Sequence, residues 1–324
     1  MKPTLTSLIL TLGLLLTFSA CVPEPVEHPI DRDQLLEDVR FLASDSLEGR
    51  RTGSEGNATA RAYIENRFRD AGVSNFGHSY FQTFTHVNTR REETFEDAVN
   101  IIGLIRGTSN STMYMAITAH YDHLGVHNGE IYNGADDNAS GVGGLLALAQ
   151  YFTDAPPLHN ILLIALDAEE QGLGGARYFV DNPVVPLENI VLNINMDMIS
   201  TNFVDELYAV GTYHYPFLRS YIEEATAGAE ISVLFGHDSP DLPAGDDWTM
   251  LSDHGPFHAK GVPFIYFGVE DHPHYHQPTD TFDNINPDFY EKAVEAILNT
   301  TRHLDANLEA IYVASERLEE ESVE

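Results

Sequence analysis

Residues 160–172 read NILLIALDAEEQG. From Ile161 to Leu166 every side chain is apolar, and Asp167, Glu169 and Glu170 follow directly. A short, continuous apolar run bounded by polar turn residues suits a strand buried on both faces, as in a parallel sheet. In an open α/β sheet, ligand chemistry gathers just beyond the carboxyl ends of such strands. Glu169 and Glu170 stand at that place. Adjacent carboxylates repel each other unless a proton or a cation separates them. A solvated acidic turn is the competing reading, and the apolar strand that delivers the pair weighs against it.

The pattern repeats on both sides of this stretch. Upstream, Met113–Ala119 reads as a strand, 120–137 as a loop and Ala139–Phe152 as a Gly/Ala/Leu helix packed closely on the sheet. Downstream come a helix near Gly174–Val180, strand Ile190–Asn195, strand Leu207–Val210 and helix Pro216–Ala227. Strand Val262–Phe267, loop 268–285 and helix Asp288–Leu304 close the domain. Earlier, Asp31–Ala43 and Asn57–Ala71 read as helices around a Gly-rich loop at Glu48–Gly56, and 78–105 as strands. Strands alternating with helices predict an α/β fold: a single domain whose central, mostly parallel (mixed) β-sheet is sandwiched between helices. The domain is predicted over 31–310, with 311–324 an acidic C-terminal tail that is frayed from Ser315 to Glu324.

Residues 1–20 stand apart. Lys2 precedes an apolar stretch from Leu5 to Phe18, which reads as a secretory signal. Phe18-Ser19-Ala20-Cys21 resembles a bacterial lipobox, which makes Cys21 a lipidation candidate and 21–30 a tether. The expected location is the cell envelope, with the membrane reached only through that anchor. Cys21 is the only cysteine, so intramolecular disulfides are excluded. The chain carries 17 basic against 50 acidic residues, a net charge of −33, which excludes nucleic acid as a partner. Few of those acids are needed for a site, and the remainder reads as a solvated acidic surface.

Further candidates sit at the other strand ends. In TAHYDHLG (118–125), His120 follows a strand and Asp122 could hold its second ring nitrogen; His123 and His127 compete with His120. In YNGADDNASG (132–141), one aspartate could bridge two cations, with helix capping as the competing role for Asp136 and Asn138. In NINMDMIS (193–200), Asp197 interrupts an apolar run, and a buried carboxylate needs a cation or several donors. The loop DHPHYHQPTDTFDNI (271–285) offers His272, His274 and His276, among which spacing does not choose.

Together with SDHGPF (252–257), these strings resemble the co-catalytic zinc exopeptidases of metallopeptidase family 28, the bacterial leucyl aminopeptidase type, from about Leu35 to Leu304. The resemblance implies two Zn²⁺ per chain, with Mn²⁺ or Co²⁺ as possible substitutes. Asp137 would bridge the metals, His120 and Asp197 would complete one, and Glu170 and His276 the other. It implies Glu169 as general base beside a hydroxide held between the metals, Asp122 orienting His120, Tyr275 stabilising the oxyanion, and a cis peptide after Asp137. Asp253 and His254 are possible pocket residues. The implied activity is aminopeptidase, acting on peptides with a free N-terminus. Alternatives on the same fold are a glutaminyl cyclase, which typically holds one zinc, a dipeptidase or carboxypeptidase, and a non-catalytic binding ectodomain, whose relatives usually lose ligands.

Overall fold

The computed structural model describes residues 30–243 and 245–323. The expected signal and Cys21 lie outside the described residues, as does the tether except for Ile30. The strands are β1 (Ser74–Asn75), β2 (Phe81–Asn88), β3 (Glu93–Ile105), β4 (Tyr114–His120), β5 (Gly125–His127), β6 (Glu130–Tyr132), β7 (Asn160–Leu166), β8 (Ile190–Met196), β9 (Glu206–Val210), β10 (Ser232–Leu234) and β11 (Phe264–Gly268). The helices are α1 (Arg32–Leu42), α2 (Glu55–Ala71), α3 (Gly141–Asp154), α4 (Gly174–Asp181), α5 (Leu218–Thr226), α6 (His254–His258), α7 (Pro287–Ala306) and α8 (Leu308–Val323).

The main sheet runs β1-β3-β7-β4-β8-β11-β9-β10, with β2 also paired to β3. Its centre is parallel: β4 pairs in that sense with β7 and β8, and β8 with β11. Antiparallel pairs flank it at β3/β7 and β9/β11. The strand inside the opening motif shows why the sheet is covered twice. Ile161, Leu163 and Ala165 join one core cluster with residues of α1, α2, α3 and α7. Leu162, Ile164 and Leu166 join another, with Ala176 and Phe179 of α4 and Phe257 of α6. Alternating side chains point to opposite faces, so a strand buried on both must be apolar throughout.

Helix α3 lies close on the sheet and on α7 because its first turns carry glycine. A Cβ on Gly141 would meet the Met196 carbonyl at 2.4 Å, and one on Gly143 would meet the Tyr290 hydroxyl at 2.4 Å. That hydroxyl donates to the Ser140 carbonyl at 2.7 Å, pinning α7 to the start of α3.

Three departures from the sequence reading bear on the site and the C-terminal end. The loop 120–137 contains the small hairpin β5–β6. Helix α3 starts at Gly141 rather than Ala139, since a wide π-type turn occupies Ala135–Ser140 and Asp137 and Asn138 leave helical geometry within it. The acidic tail expected from 311 lies within helix α8, whose start is held by Leu308 and Ile311, both fully buried against the main core. Among the described residues no helix is long and apolar enough to cross a membrane.

Candidate metal centre

Parallel strands deliver the candidate residues to one end of the sheet. His120 is the last residue of β4, Asp197 follows β8, and Glu169 and Glu170 lie just beyond β7. Asp137 comes from the π-type turn, where the Asp137–Asn138 peptide is cis, as the resemblance implied. His276 comes from the long loop after β11. Ala168, Met198 and His276 adopt positive φ (59°, 60° and 53°), so the chain holds non-glycine residues in the left-handed region at or next to three of these positions.

The acidic and imidazole side chains fall into two groups that share Asp137. In the first, His120 Nε2 lies 3.4 Å from Asp137 Oδ1 and 3.3 Å from Asp197 Oδ1. In the second, His276 Nε2 lies 3.1 Å from Asp137 Oδ2 and 3.5 Å from Glu170 Oε2. Each oxygen of Asp137 therefore faces a different group. His272 and His274 are drawn elsewhere: His272 Nε2 contacts Asp136 Oδ2 at 2.8 Å, and His274 Nδ1 contacts Thr279 Oγ1 at 3.0 Å.

His123, which the sequence left in competition with His120 and His127, joins the second group. Its ring is fully buried, with Nδ1 2.8 Å from Glu170 Oε1 and 3.8 Å from Asp137 Oδ2. Neither ring nitrogen makes a well-directed hydrogen bond, and neither does Glu170 Oε1. Such orphaned atoms in a buried site call for an ion or another unseen partner. The ring fits only because Gly134 (φ +60°) faces it; a Cβ there would meet His123 Cγ at 2.5 Å. His127 is exposed and contacts the Leu124 carbonyl.

Buried polar groups hold the two groups in place. The Asp280 carboxylate accepts from the Asp136 and Asp137 backbone N–H groups at 2.9 and 3.0 Å. Asp136 accepts from Ser200 N–H, Ser200 Oγ and Thr201 N–H, so it ties the turn to the chain after β8 instead of capping a helix. Ser252 Oγ donates to Asp197 Oδ2 at 2.7 Å. Fully buried Arg50 donates to the carbonyls of Leu42, Tyr121, Asn133 and Gly134, linking the loops that carry His123 and Asp137. Burial lowers its pKa to about 10, so it stays cationic at neutral pH. The sequence reading gave no role here to Arg50, Ser252 or Asp280. The only signal was polar residues inside motifs already singled out: EGRRTG, SDHGPF and QPTDT.

Asp122, expected to hold His120 through its carboxylate, faces His120 Nδ1 with both acceptors, its backbone carbonyl at 3.1 Å and its carboxylate at 3.7 Å. That carboxylate is engaged by Glu169 N–H at 3.0 Å and Thr52 Oγ1 at 3.1 Å. Asp253 and His254, read as possible pocket residues, are both fully buried and line no part of the cleft. His254 stacks on Phe264 and Tyr266 and contacts the Trp248 carbonyl at 2.9 Å.

The local field follows from this crowding. Burial alone would lower the pKa of His120 and His276. Carboxylates outweigh it: Asp197, Glu169 and Asp137 raise His120 well above its usual value, and Asp137 and Glu170 push His276 up to about 10. Burial and Asp137 work against ionising Glu170, yet His123 and His276 bring it down to about 2. Glu169 goes the other way. Burial raises it well above a normal carboxyl, His120 offsets part of that, and Glu170, Asp253 and Asp197 add to it. Neighbouring carboxylates are thus pushed in opposite directions, a pattern typical of acid–base sites.

All of this opens into one cleft of about 750 Å³, lined by His120, Asp137, Glu169, Glu170, Asp197, Tyr275 and His276 among others. Tyr275 stacks on His276 with ring centroids 3.9 Å apart. Burial, followed by Asp137 and Asp197, raises its pKa, which keeps its hydroxyl protonated. The donor atoms of His120, Asp137 and Asp197 lie within 4.8 Å of one another, and so do those of His123, Asp137 and Glu170. Mixed imidazole and carboxylate donors, two of them without hydrogen-bond partners, fit a pair of metal ions.

A family model described as Peptidase family M28 matches residues 100–301. The chain belongs to this family. Aminopeptidase YwaD of Bacillus subtilis is 31% identical to the M28 chain over 214 residues, covering 63% of this chain and 44% of the relative. The chain spans about half the length, or less, of the first curated relatives it matches. Among solved structures, Porphyromonas gingivalis glutaminyl cyclase superposes with a TM-score of 0.69 at 20% identity, covering 86% of this chain and 99% of the cyclase. The aminopeptidase from Aneurinibacillus sp. strain AM-1 gives 0.65 at 14% identity, covering 84% and 93%. At those identities the likeness is one of fold, and it is shared by cyclases and aminopeptidases alike.

Proposed function

We propose that this M28 chain is a two-zinc aminopeptidase that removes N-terminal residues from peptides, exported and anchored through lipidated Cys21. The observation that carries the reading is that two groups share Asp137, His120 with Asp197 on one side and Glu170 with His276 and His123 on the other, with Glu169 left over beside them. A single-metal cyclase would have no use for the His120–Asp197 pair. A binding module would have no use for Glu169.

Zinc, when bound, would supply a Lewis acid for the scissile carbonyl and lower the pKa of water. The rest falls to the chain. His120 and Asp197 would hold one ion, Glu170 and His276 the other, and Asp137 both. Glu169, with its pKa raised by burial, would take the proton from the attacking water and return it to the leaving amine. The Tyr275 hydroxyl, kept protonated, would donate to the developing oxyanion. Met198, Trp248, Met250, Leu251, Tyr266 and Val269 give the cleft an apolar wall suited to a large apolar first side chain.

The test uses leucyl p-nitroanilide and its N-acetyl counterpart, with chelated protein and zinc titrated back. Zinc-dependent cleavage of the free-amine substrate alone is the expected result. Cleavage of neither with two zincs bound would overturn the aminopeptidase reading in favour of cyclase, dipeptidase or carboxypeptidase chemistry. A chain that binds no zinc would be a binding module.

A further inference from the structure

The same cleft has a second wall of opposite character. Arg90, Arg91 and Arg177 line it together with His86, Gln171 and Gly172. In a chain of net charge −33 with only 17 lysines and arginines, three exposed arginines on one cleft are out of keeping with the rest of the surface. Among the described residues, none of these guanidinium groups forms an ion pair with a carboxylate; Arg61 and Arg106 are likewise unpaired with carboxylates, but they stand apart from this cleft.

This wall is built onto the metal centre. Arg90 and Arg91 sit in the turn between β2 and β3, where their backbone N–H groups each donate to Asn88 Oδ1 at 3.1 Å. His86 Nε2, near the end of β2, contacts the Gln171 carbonyl at 2.9 Å. Arg177 Nε donates to the Gly172 carbonyl at 3.1 Å. Both anchor points therefore lie within two residues of Glu170. The apolar wall, by contrast, is anchored to the first group through Ser252 and Asp197. A peptide whose apolar first residue rests on that wall would place its following residues toward the arginines.

We propose that Arg90, Arg91 and Arg177 form a subsite for a carboxylate carried just beyond the scissile bond, making short peptides with an ionised C-terminus, or peptides with an acidic residue there, the substrate class. The guanidinium fork matches a carboxylate in shape and charge. The inference rests on the peptide-cleaving reading above. It also predicts a sign opposite to that of the whole molecule. The overall acidic field favours a cationic peptide amide over the corresponding zwitterionic acid, whereas the arginine wall favours the acid.

The test compares leucyl-glycyl-glycine, its C-terminal amide and leucyl-aspartyl-glycinamide on the zinc-loaded chain. The free acid is expected to exceed the amide in kcat/KM by roughly fivefold, mainly through KM, and added salt should erode the preference. The aspartyl peptide tells whether a side-chain carboxylate serves as well as the terminal one. Changing Arg90, Arg91 and Arg177 together to Gln should bring the acid-to-amide ratio to one or below, with the unfolding temperature unchanged. A wild-type preference for the amide over both carboxylate peptides, or a ratio indifferent to the three substitutions, overturns the subsite. If no peptide is cleaved, the aminopeptidase reading fails separately. Calorimetric binding of the same peptides then decides: tighter binding of either carboxylate peptide than of the simple amide keeps the subsite, and equal binding removes it.

Discussion

The two groups that share Asp137 are built differently. His120 and Asp197 stand at the ends of neighbouring parallel strands β4 and β8 and are 1% and 8% exposed. Asp197 is further held by Ser252, which in turn accepts from Asn195 Nδ2 at 2.9 Å. The second group is carried mostly on loops. Glu170 lies beyond β7, His276 rides the long loop after β11 with 40% of its side chain exposed, and only His123 is fully enclosed. Side chains set on strand ends inherit the rigidity of the sheet, and those set on loops inherit the loop's freedom. One half of the centre should therefore hold its ion firmly while the other exchanges it.

The largest expected effect comes from removing what the halves have in common. Asp137→Ala should empty or weaken both positions at once, and turnover should fall by roughly a thousandfold or more, since two Lewis acids are lost together. Metal content by atomic emission, with circular dichroism as a control for folding, is the measurement. A variant that keeps two equivalents of zinc would show that Asp137 is not shared, and the comparison would lose its hinge.

A smaller effect separates the halves. Challenged with a chelator, the zinc-loaded wild type should release metal in two phases, and the fast phase should belong to the loop-borne group. His276→Ala should abolish the fast phase and leave about one equivalent bound; Asp197→Ala should abolish the slow one. Loss of a supporting or ligating group of this kind typically costs roughly 10–100-fold in metal affinity. Single-phase release, or loss of the slow phase in His276→Ala, would reverse the assignment of firm and labile halves.

The same division explains what could be read from the sequence. His120, Glu170 and Asp197 were legible because each ends or follows an apolar run, so strand period and burial place it. His276 was not separable from His272 and His274, since a loop has no period to say which side chain turns inward. The reason His272 turns away is a contact with Asp136, 136 positions distant. His123 was ambiguous for a related cause: its position depends on the positive φ of Gly134, in another motif. The Asp136–Asp280 bracing spans 144 positions and gives no local signal. Helix α8 was hidden by its acidic composition, although buried Leu308 and Ile311 at helical spacing carried the opposite information. The arginine wall was invisible for the plainest reason: Arg90 and Arg91 lie far from Arg177 along the chain, and only the β2–β3 hairpin folding over the Gln171 loop unites them.

The smallest effect tests how firmly the first group is backed. His254 lies behind Asp197, stacked on Tyr266, whose hydroxyl donates to the Asp197 carbonyl at 3.2 Å. Burial lowers the His254 pKa to about 3, against about 6.5 for an exposed imidazole. Between those values the unfolded chain binds a proton that the folded chain does not. Stability from this group is therefore complete above pH 6.5 and is lost as the pH falls toward 3. The slope is about 1.4 kcal/mol per pH unit, so some 2 kcal/mol should vanish between pH 6.5 and 5. Urea unfolding of the wild type and His254→Gln at both pH values isolates this contribution, because the substitution removes the titrating ring and keeps a donor for the Trp248 carbonyl. The wild type should lose more stability than the variant over that interval. A parallel loss in both would mean that His254 takes up its proton in the folded state, and the wall behind Asp197 would then be as yielding as the loop that carries His276.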